Sequence, residues 1–251
     1  MTDFHYFAVP TATDPGTLNP VYEFLDFPIA MGKAEDIVLT GPAPEKPLVD
    51  GREVTDPRLI KALSVPVELD RAEVLDRSSK LAGVLRAMGV VPESGATLTL
   101  AEDVPPLARA LGLLAAARIG LAVDLRAGTD GATPGGGVDG GGVDGGGAGV
   151  GGGEGVGTDS AQNTIVLHGI VAEPIEPGRA SVRVTRSRFE GVGLTIGSET
   201  ANLDQAMRDS RVEFAAVVPL APDHTLLLTD DGEIPAGSSL DWYRNEVLSA
   251  S

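Results

Sequence analysis

Cysteine is absent from the chain of 251 residues, which excludes disulfides, thiol nucleophiles and thiolate metal sites. The same absence suits a reducing, cytoplasmic setting. Aromatic residues supply only 4%, so a core must come from the Leu, Val, Ile and Ala within the 42% of hydrophobic residues. Positive charge is scarce: 19 Lys and Arg oppose 36 Asp and Glu, a formal net charge of −17. Such a field repels polyanions and argues against a nucleic-acid partner. The three histidines, His5, His168 and His224, form no pair at metal-ligating spacing, so no metal is expected. The opening MTDFHYFAVP lacks a basic start followed by an apolar stretch, so no secretory leader is expected. The most apolar window, Leu107 to Leu125, approaches the length of a membrane span, but Arg109 and Arg118 interrupt it. It reads as a buried helix followed by a strand, and no membrane partner is expected.

What is present divides into three parts. Residues 127–157 are dominated by glycine and repeat Gly-Gly-Gly-Val-Asp. Ordering so much glycine costs too much backbone entropy for a packed element, so the segment reads as a linker or expanded loop. Its spacing does not match calcium-binding glycine repeats. Residues 1–126 read as a first α/β part. NPVYEFLDFPIAM has the spacing of a helix ended by Pro28, and DIVLTG reads as a strand. ELDRAEVLDRSSKLAGVLRAMGV, Glu68 to Val90, predicts an amphipathic helix with Val74, Leu75, Ser78, Leu81, Ala82, Leu85 and Met88 on one stripe. ATLTL is a strand, the stretch from Pro105 to Gly120 a helix, and LAVDL a strand. The order strand, helix, strand predicts a mostly parallel sheet flanked by helices. Residues 158–251 continue the same domain. Strands are expected in NTIVLHGIV, ASVRVTRSRF, EFAAVVPL and HTLLLT, a short helix capped by Asn202 in NLDQAMRDSR, and a terminal helix in SLDWYRNEVLS. Asp103 and Asp124 fall near strand ends. The glycines of Gly191 to Gly197 are too few and wrongly spaced for a dinucleotide fingerprint.

The run SKLAGVLRAMGVVPESGATLTLAEDVPPLARALGLLAAARIGLAVDL resembles the early part of adenylate-forming acyl-CoA ligases, the AMP-binding superfamily. There a Leu- and Ala-rich helix ends in LGV, a turn and strand follow, and a second helix ends in ARIG. LNPVYEFLDFPIAMGK, Leu18 to Lys33, is similar to the LNxxYNxLDRHxxxGR opening of the acetyl- and propionyl-CoA ligase branch. Leu18, Asn19, Tyr22, Leu25, Asp26 and Gly32 fall in register, while Phe27-Pro28 replace Arg-His. IEPGR, Ile175 to Arg179, is similar to another segment of that branch. The resemblance implies the α/β fold of that family's N-terminal subdomain, interrupted here by the Gly-rich loop.

The family makes an acyl-adenylate from ATP and a carboxylate, then transfers the acyl group to CoA. Its ATP phosphates lie in a loop like YTSGTTGKPKG, where backbone N–H groups, hydroxyls and a lysine surround the anion. LLLTDDGEIPAG stands at that position in this chain. Thr229, Gly232 and Gly237 fit, but Asp230, Asp231 and Glu233 replace hydroxyls and glycines, and Ala236 replaces the lysine. Each carboxylate at ~4 Å from a phosphate charge costs on the order of 4 kcal/mol at an effective dielectric near 20. ATP binding is therefore not expected. The family's remaining motifs, its adenine and ribose segments and its catalytic lysine, are not found before Ser251, so no complete adenylation site and no catalytic residue is expected. The resemblance implies a CoA-phosphate contact for Gly178 and Arg179, near Arg183, Arg186 and Arg188, and so CoA or acyl-CoA as the candidate ligand. The expected function is a non-catalytic, ligase-like interaction or ligand-binding module. The alternatives are a ligase fragment active with a second chain and a structural subunit. Self-association or a protein partner is expected to cover the sheet.

Overall fold

The computed structural model describes residues 11–14, 16, 18–43, 47–49, 52–90, 92, 95–101, 104–126, 164–168, 181–184, 191–196, 199–201 and 214–248. A π-helical turn, Tyr22–Asp26, leads into α1 (Phe27–Ala30), then β1 (Ile37–Gly41), β2 (Leu48–Val49), β3 (Arg52–Glu53), α2 (Pro57–Leu63) and β4 (Val67–Asp70). There follow α3 (Arg71–Ala87), β5 (Thr97–Leu100), α4 (Pro106–Arg118) and β6 (Ala122–Asp124). Beyond them lie β7 (Thr164–His168), β8 (Ser181–Val184), β9 (Gly191–Ile196), β10 (Glu199–Ala201), β11 (Thr225–Thr229) and β12 (Gly232–Pro235). The last helix, α5 (Ala236–Tyr243), runs into a π-helical turn, Arg244–Leu248.

Eight strands form one sheet in the order β10-β9-β8-β7-β5-β6-β11-β12. The neighbours from β8 to β11 are parallel. Both flanks are antiparallel. The sheet is thus mixed: its centre is parallel, as expected, and the antiparallel flanks are what the expectation did not include. Connection length is the reason. A parallel neighbour needs a crossover of about a dozen residues or more. Asp230 and Asp231 alone separate β11 from β12, and six residues separate β8 from β9, so these strands can only turn back.

Helix α4 crosses from β5 to its parallel neighbour β6. Leu107, Ala108, Leu111, Leu114, Ala115, Ala116 and Ala117 are all essentially inaccessible, so the helix is buried nearly all round. It packs on α3, whose start is fixed by a capping box. The Asp70 carboxylate accepts from the Glu73 N–H at 2.8 Å, and Glu73 accepts from the Asp70 N–H at 3.4 Å. Asp70 also ends β4, which pairs antiparallel with β1. The sequence pattern predicts this helix from Glu68, because the alternating Val67-Glu68-Leu69 is too short a strand signal to separate from the helix behind it; the helix starts at Arg71 instead, and α2 is a further element that the pattern does not mark.

Two further expectations are corrected. The first helix does not end at Pro28 but continues to Ala30, with Pro28 in the first turn of α1, where its missing N–H costs nothing. EFAAVVPL is not a ladder strand. It runs as an extended strap over 214–220 whose N–H groups reach three separate places: Ala215 to the Ser79 carbonyl within α3, Val218 to Arg118 at the end of α4, and Leu220 to Leu18 ahead of the first helical turn. Alternation marks an extended chain but not its partner. The Gly-rich segment and NLDQAMRDSR lie outside the described residues. Among the described residues no helix is long and apolar enough to cross a membrane.

Candidate functional site

In a sheet with parallel centre strands, ligand sites gather beyond the carboxyl ends. Here β6 and β11 bring Asp124 and Thr229 to that edge, with Asp124 in register with Leu228. Thr229 and Gly232 face each other across the turn of the β11–β12 hairpin, and the Thr229 hydroxyl donates to the Gly232 carbonyl at 2.8 Å. Asp230 and Asp231 form the turn itself and are exposed. Glu233 lies opposite Leu228, and its carboxylate accepts from the Thr225 hydroxyl at 2.7 Å. The residues matched to a phosphate loop therefore form a tight hairpin.

Arg126 sits among these acids. Its Nε donates to Asp124 at 2.8 Å, and its backbone N–H donates to the same carboxylate at 3.2 Å. The side-chain bond from Arg126 holds the Asp124 carboxyl below its usual range, against the opposing effect of burial. The Arg126 guanidinium is held above its usual value, first by the bond to Asp124 and then by the charges of Asp124, Asp230 and Glu233. The negative charge of this edge is thus offset by the chain's own cation, Arg126.

The end of the same motif is occupied by packing. The Ala236 N–H donates to the His224 carbonyl at 2.8 Å and the Gly237 N–H to Pro222 at 2.9 Å. A Cβ on Gly237 would stand 3.0 Å from the Pro222 carbonyl oxygen, so glycine permits this approach. His224 Nε2 in turn donates to the Gly120 carbonyl at 2.7 Å.

The residues of the LNxxYNxLD and ARIG segments meet in space as a clamp. Asn19, fully buried, donates from Nδ2 to the carbonyls of Ala117 at 2.8 Å and Val218 at 2.9 Å. Its Oδ1 accepts from the Val21 N–H at 2.9 Å. Arg118 is buried and grips Asp26 with both terminal nitrogens, at 3.0 and 3.3 Å. Its Nε donates to the Ala215 carbonyl at 2.6 Å. The first helix, the end of α4 and the strap are thus locked by polar contacts that leave Asn19 and Arg118 fully engaged. Their role in this chain is architectural.

Sequence reasoning noticed Arg109 only as an interruption of an apolar window. It lines a cavity of about 170 Å³ with Leu39, Leu107, Leu113, Trp242 and Val247. Burial lowers its pKa, and no acid offsets this. Tyr243, beside Trp242, is fully buried and donates to the Leu113 carbonyl at 3.3 Å. Gly178, Arg179, Arg186, Arg188, Asp103 and His5 lie outside the described residues. Arg183 is in β8, level with His168 of β7 and Gly193 of β9. Among the described residues no group of three or more His, Asp or Glu is arranged to hold a metal ion.

No protein-family model matches the chain, and a search of curated proteins returns no match. Solved structures do show a likeness. An acyl-CoA synthetase from Brucella canis superposes with a TM-score of 0.50 at 14% identity, over 91% of this chain and 35% of that one. The protein CmiS6 gives a TM-score of 0.45 at 11% identity, over 96% of this chain and 47% of its own. The chain thus spans about a third of the synthetase it resembles. At this identity the likeness is one of fold: an α/β arrangement shared with an acyl-CoA synthetase.

Proposed function

We propose that the chain is a non-catalytic, acyl-CoA-ligase-like module that acts by binding a partner or a CoA-like or acyl ligand. The observation that carries this reading is the β11–β12 hairpin. A phosphate cradle needs free backbone N–H groups and positive potential. In the hairpin the backbone is engaged in the antiparallel ladder, and Asp230, Asp231 and Glu233 surround the turn with negative charge. Arg126, the nearby cation, is engaged by Asp124. Magnesium can bridge a carboxylate to phosphate, but it replaces neither the lysine nor the hydroxyls.

In this proposal Gly178 and Arg179 carry the contact to CoA phosphate, and ATP is not a ligand. Self-association or a partner chain covers the sheet. Calorimetric titration with CoA, acetyl-CoA and Mg·ATP tests it. The expected result is CoA binding that Arg179→Ala abolishes, with no heat from Mg·ATP. Absence of binding to all of them leaves the partner role, which light scattering on the purified chain and affinity capture then test. ATP–pyrophosphate exchange by the isolated chain would overturn the non-catalytic reading.

A further inference from the structure

Arg109 is placed at a cost on three counts. It is half-buried in an apolar setting, and desolvation alone lowers its pKa. It stands in the first turn of α4, where the helix dipole disfavours a cation. Among the described residues it has no hydrogen-bonded or ion-paired acid. Glu246 lines the same cavity but is exposed and forms no ion pair with it. Other arginines of the described residues are treated differently: Arg71 is paired with Asp36, Arg118 with Asp26 and Arg126 with Asp124. In a chain of net charge −17, acids to pair with Arg109 are not scarce.

The space in front of Arg109 is specific in size and lining. Pro106, Ala110 and Leu113 on α4, Leu39 and Thr40 on β1, and Trp242, Glu246 and Val247 at the C-terminal end line a mostly apolar, open-mouthed pocket of about 170 Å³. A cavity near 150 Å³ accepts a body of about six carbon atoms. One guanidinium at an apolar slot matches one negative charge on an apolar body. A phosphate would ask for more donors and more positive charge than this site presents.

We propose that this cavity is a binding site for a small monocarboxylate with an apolar body of about six carbons. The carboxylate pairs with the Arg109 guanidinium, and the body lies against Leu107, Leu113, Trp242 and Val247. The site lies on α4, away from the hairpin matched to the phosphate loop, and neither ATP nor CoA enters the proposal. The site gives the acyl-ligand part of the proposed function a location, while the CoA contact at Arg179 is tested by CoA titration, so the two can fail separately.

Trp242 is the sole tryptophan of the chain, so its emission reports on this cavity. Hexanoate is expected to change that emission saturably, with a Kd of about 1 mM or below. Hexan-1-ol, of the same body without the charge, is expected to bind at least about tenfold more weakly. Arg109→Gln should weaken hexanoate by at least about tenfold with an unchanged circular dichroism spectrum. Glu246→Gln, an exposed change, should tighten hexanoate by removing a like charge from the cavity. A linear, non-saturating response, equal binding of acid and alcohol, or unchanged affinity in Arg109→Gln would each overturn the proposal. Inorganic phosphate competing as well as hexanoate would overturn the assignment of ligand class.

Discussion

Arg109 and Arg118 leave α4 nine residues apart, which at 100° per residue puts them on opposite sides of the helix. Arg118 stands at the carboxyl end, where the helix dipole favours a cation, and is taken up by Asp26 and the Ala215 carbonyl. Arg109 stands in the first turn, where the dipole opposes it, and faces a cavity without an acid partner among the described residues. The same side chain on the same helix thus closes a structure at one end and leaves binding capacity at the other. Burial of an arginine says little by itself; the number and kind of its partners decides what it does.

Breaking the satisfied end should have the largest effect. Arg118→Met removes the cation from Asp26, a carboxylate whose side chain is only 27% exposed, and strips the Ala215 carbonyl of its donor. Losing one member of a buried pair costs about 3–5 kcal/mol, and the partial exposure of Asp26 favours the lower figure. Urea denaturation would measure it. Replacing Asp26 by Leu as well should recover part of the loss, because no charge is then left unpaired. Gly120→Ala tests the same junction from its backbone. Gly120 has φ of +72°, and a Cβ would stand 2.9 Å from Leu220 Cδ2 on the strap. The left-handed conformation costs an L-residue about 1–2 kcal/mol, and displacement of Leu220 adds to it. A drop in thermal midpoint, with faster amide exchange at Val218 and Leu220, is the expected result.

The unsatisfied end should respond with the opposite sign. Arg109→Met retains an unbranched apolar stem and removes a half-buried charge that lacks an acid partner. A gain of about 1 kcal/mol is expected, since replacing buried ionic groups by well-packed apolar ones is often stabilising. Stabilisation together with loss of hexanoate binding would mark Arg109 as a residue whose ligand role opposes stability. Destabilisation would show that Arg109 serves the fold, as Arg118 does.

Much of this arrangement was legible in the chain, for physical reasons that differ by region. The helices α3 and α4 announce themselves through apolar content, and α4 also through ends marked by Pro106 and Gly120, whereas the start of α3 at Asp70 is hidden behind the short β4. The strands β5, β6 and β11 are short apolar runs between turns. The antiparallel flanks were not foreseen, although the two residues between β11 and β12 allow no other arrangement. The strap escapes a sequence reading because alternation in EFAAVVPL reports an extended backbone, while its hydrogen bonds go to the middle of α3, the end of α4 and a loop, all distant in sequence. The same distance hid the clamp. Asn19, Asp26 and Arg118 were noticed as matching motif positions, but their contacts span some ninety residues and more. Arg109 was visible as a lone cation in an apolar run. That Trp242 and Val247 close a cavity around it depends on where α5 and its terminal turn dock.

Arg126 is the intermediate case and yields the smallest expected effect. It pairs with Asp124, as Arg118 pairs with Asp26, but its own side chain is 49% exposed while that of Asp124 is 10% exposed. Water and salt therefore screen its charge, and the pair stabilises less than the buried one. The bond from Arg126 lowers the Asp124 pKa from its ordinary 3.8, so the folded state favours the ionised form. The unfolded chain takes up a proton first as pH falls. This contribution is accordingly complete well above pH 3.8 and is lost as the pH drops towards and through the folded value. Asp124→Asn should leave stability at pH 7 changed by less than ~1 kcal/mol, and should flatten the acid limb of a stability–pH profile below about pH 4. An acid limb of unchanged slope would show that the pair is too well solvated to couple to folding, which would place Arg126 with the exposed charges rather than between Arg118 and Arg109.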